Sequence, residues 1–348
     1  MEVRIYDSDL DLQGIIENQT SLIWTRKYAE AGEFEMHAPI TKDNISLLKT
    51  GNLIYKKGFN EAGVIEKFVM EESAQKNEII CSGRFLTGYM DGRITKATKT
   101  YTGYAEVIMR TLLSEDTVAI PRVVLGELQG FDEELSFQMT YKNLLTYESK
   151  IAKACNFGFR FRPDFNSKQI IFEIYKGVDR SISQGVVNRV IFSEMYENLN
   201  SVTYTESSQL QKTKAFVGGQ GEGAERTIVE VGGGTGLGLK EVFVPATDIS
   251  KDGLTTAQYQ EALRARGTEY LESNAYVQSF EYDTDPNINF TYRQDYDLGD
   301  IVTAKKASWD IAVDMRITEV QEVYENGIMK VTPTLGNPLP ETIDWEDK

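Results

Sequence analysis

Asn156-Phe157-Gly158-Phe159-Arg160-Phe161-Arg162-Pro163, turning through Asp164-Phe165-Asn166 and returning along Ile170-Ile171-Phe172-Glu173-Ile174-Tyr175, is the stretch whose reading decides the fold. Phe157, Phe159 and Phe161 recur at every second position, as do Ile170, Phe172 and Ile174, so each arm predicts a strand with one apolar face, and the turn predicts a hairpin. Just upstream the period changes. Leu144, Glu148, Ile151 and Cys155 fall three or four apart, and Tyr104, Ile108 and Leu112 fall four apart, which predicts two helices with core-facing stripes. Helices joined to a hairpin make residues 96–185 an inserted α+β unit.

Outward from this unit the pattern returns to strands. Residues 1–95 hold short alternating runs such as Glu2-Val3-Arg4-Ile5-Tyr6, Leu22-Ile23-Trp24-Thr25 and Glu78-Ile79-Ile80-Cys81. One helix is predicted among them over Asn44 to Lys49, with Thr41 as its N-cap. Between 186 and 248 come strands joined by the glycine clusters Gly218-Gly219-Gln220-Gly221-Glu222-Gly223 and Gly232-Gly233-Gly234-Thr235-Gly236-Leu237-Gly238. Thr255 and Gln258 have capping-box spacing and open a helix over 256–272 that carries Tyr259, Leu263 and Tyr270. Strands close the chain, with Asp295-Tyr296-Asp297-Leu298-Gly299-Asp300 as the main turn, and an acidic tail follows over 341–348. The expected class is α+β, mainly β. A first β unit spans 1–95 with 186–230, the insertion 96–185 interrupts it, and a second β unit spans 231–340.

Charge and composition exclude several functions. The chain has 348 residues and a net charge of −16, which opposes binding nucleic acid through phosphate neutralisation. No run of about 18 apolar residues occurs, so no helix is expected to span a bilayer. The first residues lack the basic start and apolar run of a secretory signal. Cys81 and Cys155 stand far apart and without metal-ligand spacing, which suits buried free thiols in a reducing compartment. The single histidine, His37, lies in the strand-like Glu35-Met36-His37-Ala38-Pro39, so histidine-based acid-base chemistry and histidine-rich metal sites have no basis.

The remaining motifs reduce to structure in the same way. Gly219 to Ala224 matches the dinucleotide glycine pattern, but the β-rich Arg226-Thr227-Ile228-Val229-Glu230-Val231 follows where a helix is required. No Gly-Lys-Ser or Gly-Lys-Thr is present. Asp7, Asp9 and Asp11 resemble a calcium loop without its turn glycine and read as alternating strand carboxylates. Asp295, Asp297 and Asp300 could gather a cation in one turn, yet they read better as turn formers. No catalytic, cofactor-binding or metal-binding residue is nominated, and no cofactor is expected.

Several blocks together resemble a family. They are Trp24-Thr25-Arg26-Lys27-Tyr28 with Gly32-Glu33-Phe34-Glu35 and Pro39; Tyr175-Lys176-Gly177-Val178-Asp179-Arg180-Ser181 with Ile191-Phe192-Ser193 and Asn198-Leu199; and the glycine turn from Val217 to Arg226. Asp295 to Val302, Arg316-Ile317-Thr318-Glu319-Val320 and Pro333-Thr334-Leu335-Gly336 complete the set. In this order they resemble the hub and tail-associated proteins of siphophages, prophages and phage-like tail particles, including the siphovirus Gp37-like group.

The resemblance implies a multi-domain hub with two β-barrel-like domains, an inserted α+β domain and a further small α/β unit. It implies a structural, non-enzymatic role at the baseplate or tail tip of a virion assembled in the bacterial cytoplasm. The implied partners are two further copies in a homotrimer, a distal tail or tail tube protein and the tape measure protein, with a tail fibre or lytic tip protein as a further candidate. The lytic or host-binding extension that such proteins often carry is not expected in this chain. A cell-wall hydrolase and a host-saccharide-binding module stand as alternatives.

Overall fold

A computed structural model of the chain describes residues 1–73, 77–96, 98–116, 118–196, 198, 202–282, 289–325 and 327–336. Strands dominate it, with four α-helices among the described residues, and the mainly β, α+β class holds. The acidic stretch 341–348 lies outside the described residues.

The largest sheet runs from Val202–Ser207 through Val277–Tyr282, Ile328–Gly336, Ile311–Glu325, Ser21–Lys27, Glu33–Pro39 and Asn77–Arg84 to Lys67–Glu72. All these neighbours are antiparallel. The sheet therefore interleaves the two ends of the chain, with Trp24 opposite Glu322 on one side and Phe34 on the other. Ile301–Lys306 pairs with the first part of the long strand Ile311–Glu325 and carries Ile191–Ser193 in parallel. Alternation sends Leu22, Trp24, Phe34, Met36, Ile79 and Cys81 inward. There they meet Val3, Ile5, Ile16 and Ile54 of a small sheet ordered Leu12–Ile16, Val3–Tyr6, Leu53–Lys56, Ala62–Val64.

These sheets are open. The largest ends at two free edges among the described strands, so the barrel-like domains implied by the resemblance are corrected to open sheets. One edge strand, Lys67–Glu72, carries Lys67, Glu71 and Glu72, and charge of this kind keeps an open sheet edge from adding another strand.

Helix α1, Lys42–Leu47, begins two residues earlier than predicted, and Thr41 caps it by accepting from the Asn44 amide at 3.1 Å. Helices α2, Ala105–Ser114, and α3, Leu144–Ala154, pack on the hairpin Gly158–Asp164 and Gln169–Tyr175. The hairpin register places Phe161 opposite Phe172 and Phe159 opposite Ile174, all buried, while Arg160 and Arg162 on the other face both donate to Glu173. Tyr104 is not part of the buried stripe of α2. It is the half-exposed N-cap residue, and the stripe begins with Ala105 and Ile108.

Helix α4, Thr256–Ser273, carries the reciprocal capping box of Thr255 and Gln258. It covers a three-stranded sheet ordered Ile228–Gly232, Lys214–Gly218, Glu241–Pro245. Ala215, Val217, Val229, Val244 and Leu263 share one core there. The boundary expected near residue 230 falls inside the strand Ile228–Gly232, because this sheet and helix bury their apolar faces against each other.

Candidate functional site

The residues flagged in the sequence do not converge on a reaction centre. His37 lies on the outer face of the large sheet, with Nδ1 3.0 Å from Glu78 and Nε2 3.1 Å from Glu35. Cys81 and Cys155 are buried free thiols, and burial pushes Cys81 up to about 12 and Cys155 up to about 11. The Gly219 to Ala224 loop leads into a strand, and the Gln220 amide donates to the Tyr259 hydroxyl at 2.7 Å. Asp7, Asp9 and Asp11 are not strand carboxylates, as the sequence suggested. They sit in the turn between Val3–Tyr6 and Leu12–Ile16, where Asp7 accepts from the amides of Asp9 and Asp11. Leu10 at φ 63° is the left-handed residue that closes this turn.

The acidic turn at 295–300 proves to be the centre of a junction. Asp295 accepts from the Thr291 amide at 2.7 Å, and Asp297 accepts from Arg26 Nη1 at 2.6 Å. Asp300 is buried and accepts from the Val178 amide at 2.7 Å, Arg180 Nε at 2.8 Å and the Asp297 amide at 3.0 Å. The three carboxylates thus point to three different partners. Among the described residues no group of His, Cys, Asp and Glu is arranged to hold a metal ion.

Two glycines let the backbones meet. A Cβ on Gly177 would lie 2.0 Å from the carbonyl of Gly299, and Gly299 itself has φ +93° against the ring of Tyr28. Only glycine fits both demands, close approach and positive φ. The contact is sealed by amide donation from Ile301 to Val178 O and from Arg180 to Ile301 O. Tyr28 reaches across to donate to Asn156 O at 3.0 Å and packs edge-on against Tyr175. Three sequence blocks separated by well over a hundred positions, around Tyr28, Gly177 and Gly299, therefore touch in one place.

Beneath the junction lie two buried cations. Arg26 donates to Glu61 at 3.0 Å and to the Tyr292 hydroxyl at 2.8 Å, besides Asp297. Burial alone would lower the Arg26 pKa, but Glu61, Tyr292 and Asp297 outweigh it and hold the guanidinium charged. Lys56 donates to Glu322 and Tyr324 and lies over the rings of Phe59, Tyr324 and Trp24. Burial, opposed by Glu322, pulls its ammonium down to about 7. The network ties the large sheet through Arg26, Glu322 and Tyr324 to the small sheet through Lys56, to Glu61 beside it, and to the 292–297 turn.

Chemically the junction is a lock. The void beside Arg26, Glu61, Arg160 and Tyr175 measures about 10 Å³, room for at most one water. An open cleft of about 390 Å³ borders Asn188, Arg189, Asn289 and Gln294, but Arg180 in its wall is engaged by Asp300 and Arg189 donates to Gln184 O. Alternation places Arg26 on the inward face with Leu22 and Trp24, and Lys56 with Ile54, but it names no partner for either charge. The signal available was charge at inward-facing strand positions.

The model of the Siphovirus ReqiPepy6 Gp37-like protein family matches residues 2–337. Similar folds occur in the 43 kDa tail protein of prophage MuSo2 from Shewanella oneidensis, with a TM-score of 0.60 at 12% identity over 96% of this chain and 98% of that one. The tail protein of Neisseria meningitidis MC58 gives 0.58 at 11% over 96% of both chains. Prophage tail protein gp18 of Listeria monocytogenes EGD-e gives 0.56 at 12% over 98% and 96%. Comparison with characterised proteins by sequence finds no match.

Proposed function

The chain belongs to the Siphovirus ReqiPepy6 Gp37-like protein family, and from that premise we propose that it is a structural baseplate hub or tail-tip protein. In this reading three copies form a ring that caps the tail tube and adapts its sixfold symmetry to a threefold tip. A closed ring of this kind requires heterologous contacts that return on themselves. The observation that carries the proposal is the family match from residue 2 to residue 337. A fold shared with tail proteins over nearly their whole length supports it.

The work of such a protein is interfacial. Two further copies of the chain, a distal tail or tube protein and the tape measure protein are the proposed partners, and no reaction is assigned to it. The outward face of the large sheet suits a channel wall. Strand alternation places Glu33, Glu35, Glu78, Glu319 and Glu325 on it, with Lys27, Arg84, Lys330 and Thr332 among them. A predominantly acidic wall repels a passing phosphate backbone.

Light scattering over a concentration series tests the ring. A species of three times the monomer mass is expected, and a strict monomer at every concentration refutes self-assembly into a ring. Binding of duplex DNA by the trimer at physiological salt would overturn the acidic wall.

A further inference from the structure

Residues 208–276 leave and re-enter the large sheet at a single place. Ser207 and Val277 are paired residues on neighbouring strands, and Val202–Ser207 is the edge of the sheet. The Lys212 amide donates to Asn274 O at 2.8 Å, which ties the outgoing and returning segments into one stalk. The stretch has its own apolar core, and among the described residues none outside 208–276 contributes to it.

Polar contacts tie this unit to the rest. It meets the strand Glu134–Met139 and helix α3 chiefly through α4. Lys150 on α3 pairs with Glu269 on α4, and Lys142 lies 3.7 Å from Asp248, which also accepts from Arg266 at 3.0 Å. The Ser250 amide donates to Gln138 at 2.9 Å. Lys150 and Glu269 remain 36% and 28% exposed, and Lys142 and Asp248 36% and 43%, so water and salt reach both pairs. Pairs of this exposure shift an equilibrium by only about two- to five-fold each. A two-segment stalk, a separate core and a wet, charged contact are the ingredients of relative motion.

We infer that residues 208–276 are a hinged unit, pivoting at the Ser207 and Val277 pair and latched to the helix-hairpin unit by Lys150 with Glu269 and Lys142 with Asp248. The inference rests on these contacts and is independent of the tail reading. Its consequence is that the angle between the two units responds to ionic strength and to any charged partner that competes for the latch.

The test uses the full chain labelled with a donor and acceptor dye at Leu237→Cys and Leu128→Cys, two exposed positions in the hinged unit and in the helix-hairpin unit. The native thiols are buried. One narrow distance is expected at low salt, with a second, longer distance appearing in molar salt. Lys150→Glu places a carboxylate against Glu269 and raises the open population at low salt by at least about two- to five-fold. The swapped pair Lys150→Glu with Glu269→Lys restores the single distance. Amide exchange in Lys214–Gly218 and Gly158–Asp164 reports whether both units stay folded. If exchange there rises in the variants, the salt series on the otherwise unaltered labelled chain decides alone. One unchanged distance at low and molar salt overturns the hinge.

Discussion

Replacing Arg26 by methionine separates a buried ionic lock from ordinary packing. Methionine keeps much of the aliphatic volume, so a purely packing role costs less than about 1.5 kcal/mol. The geometry predicts more. Glu61 is 6% exposed and accepts from Arg26 at 3.0 Å, and among the described residues its second oxygen has no hydrogen-bond partner. Removing the guanidinium leaves that carboxylate buried without its hydrogen-bonded cation, and breaking such a pair costs about 3–5 kcal/mol. Asp297, at 43% exposure, can turn to water and adds little. Most of the loss therefore belongs to Glu61, and Arg26→Met with Glu61→Met should recover about 2 kcal/mol or more relative to the single change. Urea denaturation followed by tryptophan fluorescence reads the difference, since Trp24 is buried in the adjoining core. A single-variant loss below about 1.5 kcal/mol, or a second substitution that deepens the loss, would refute the reasoning.

Gly177→Ala should destabilise the chain by about 1–3 kcal/mol or more, because its Cβ meets the Gly299 carbonyl at 2.0 Å. Faster amide exchange at Arg180 and Ile301 would localise the damage, and unchanged exchange there would count against the junction. For His37, burial lowers the pKa while Glu78 and Glu35 outweigh it, so the folded value lies above the reference of 6.5. The stabilisation is thus complete below about 6.5 and is lost as pH rises through the folded value. His37→Gln should flatten stability in that window, and the single imidazole resonance should titrate above 6.5; titration below it sinks the assignment. Glu106, buried at the start of α2, accepts from the amides of Gln129, Gly130 and Phe131 at 2.6, 2.8 and 3.1 Å. Glu106→Gln should cost about 1–3 kcal/mol and expose this loop to protease, and equal cleavage rates would exclude the tether.

What the sequence determined by itself was local. Period two over Phe157 to Phe161 and Ile170 to Ile174, the Thr41 cap and the Thr255 and Gln258 box all depend on neighbours within a few residues, and each appears where its spacing placed it. The α+β, mainly β class follows from adding such local signals. The order of motifs was also enough to carry the family resemblance. The tertiary structure alone decided the rest, because it depends on residues that meet from afar. Strand 21–27 lies between 33–39 and the far strand 311–325, a pairing that periodicity cannot select. Open sheets in place of barrels are a matter of which edges remain unpaired, and alternation reads the same in both. Asp300 looked like one more turn former until Val178 and Arg180 were brought to it. Arg26 and Lys56 stood as charges at inward-facing strand positions with no partner nearby in sequence until Glu61, Asp297 and Glu322 arrived from three other segments. A buried charge is tolerated only when its partners are in place, and partners on other segments of the chain leave no mark on local spacing.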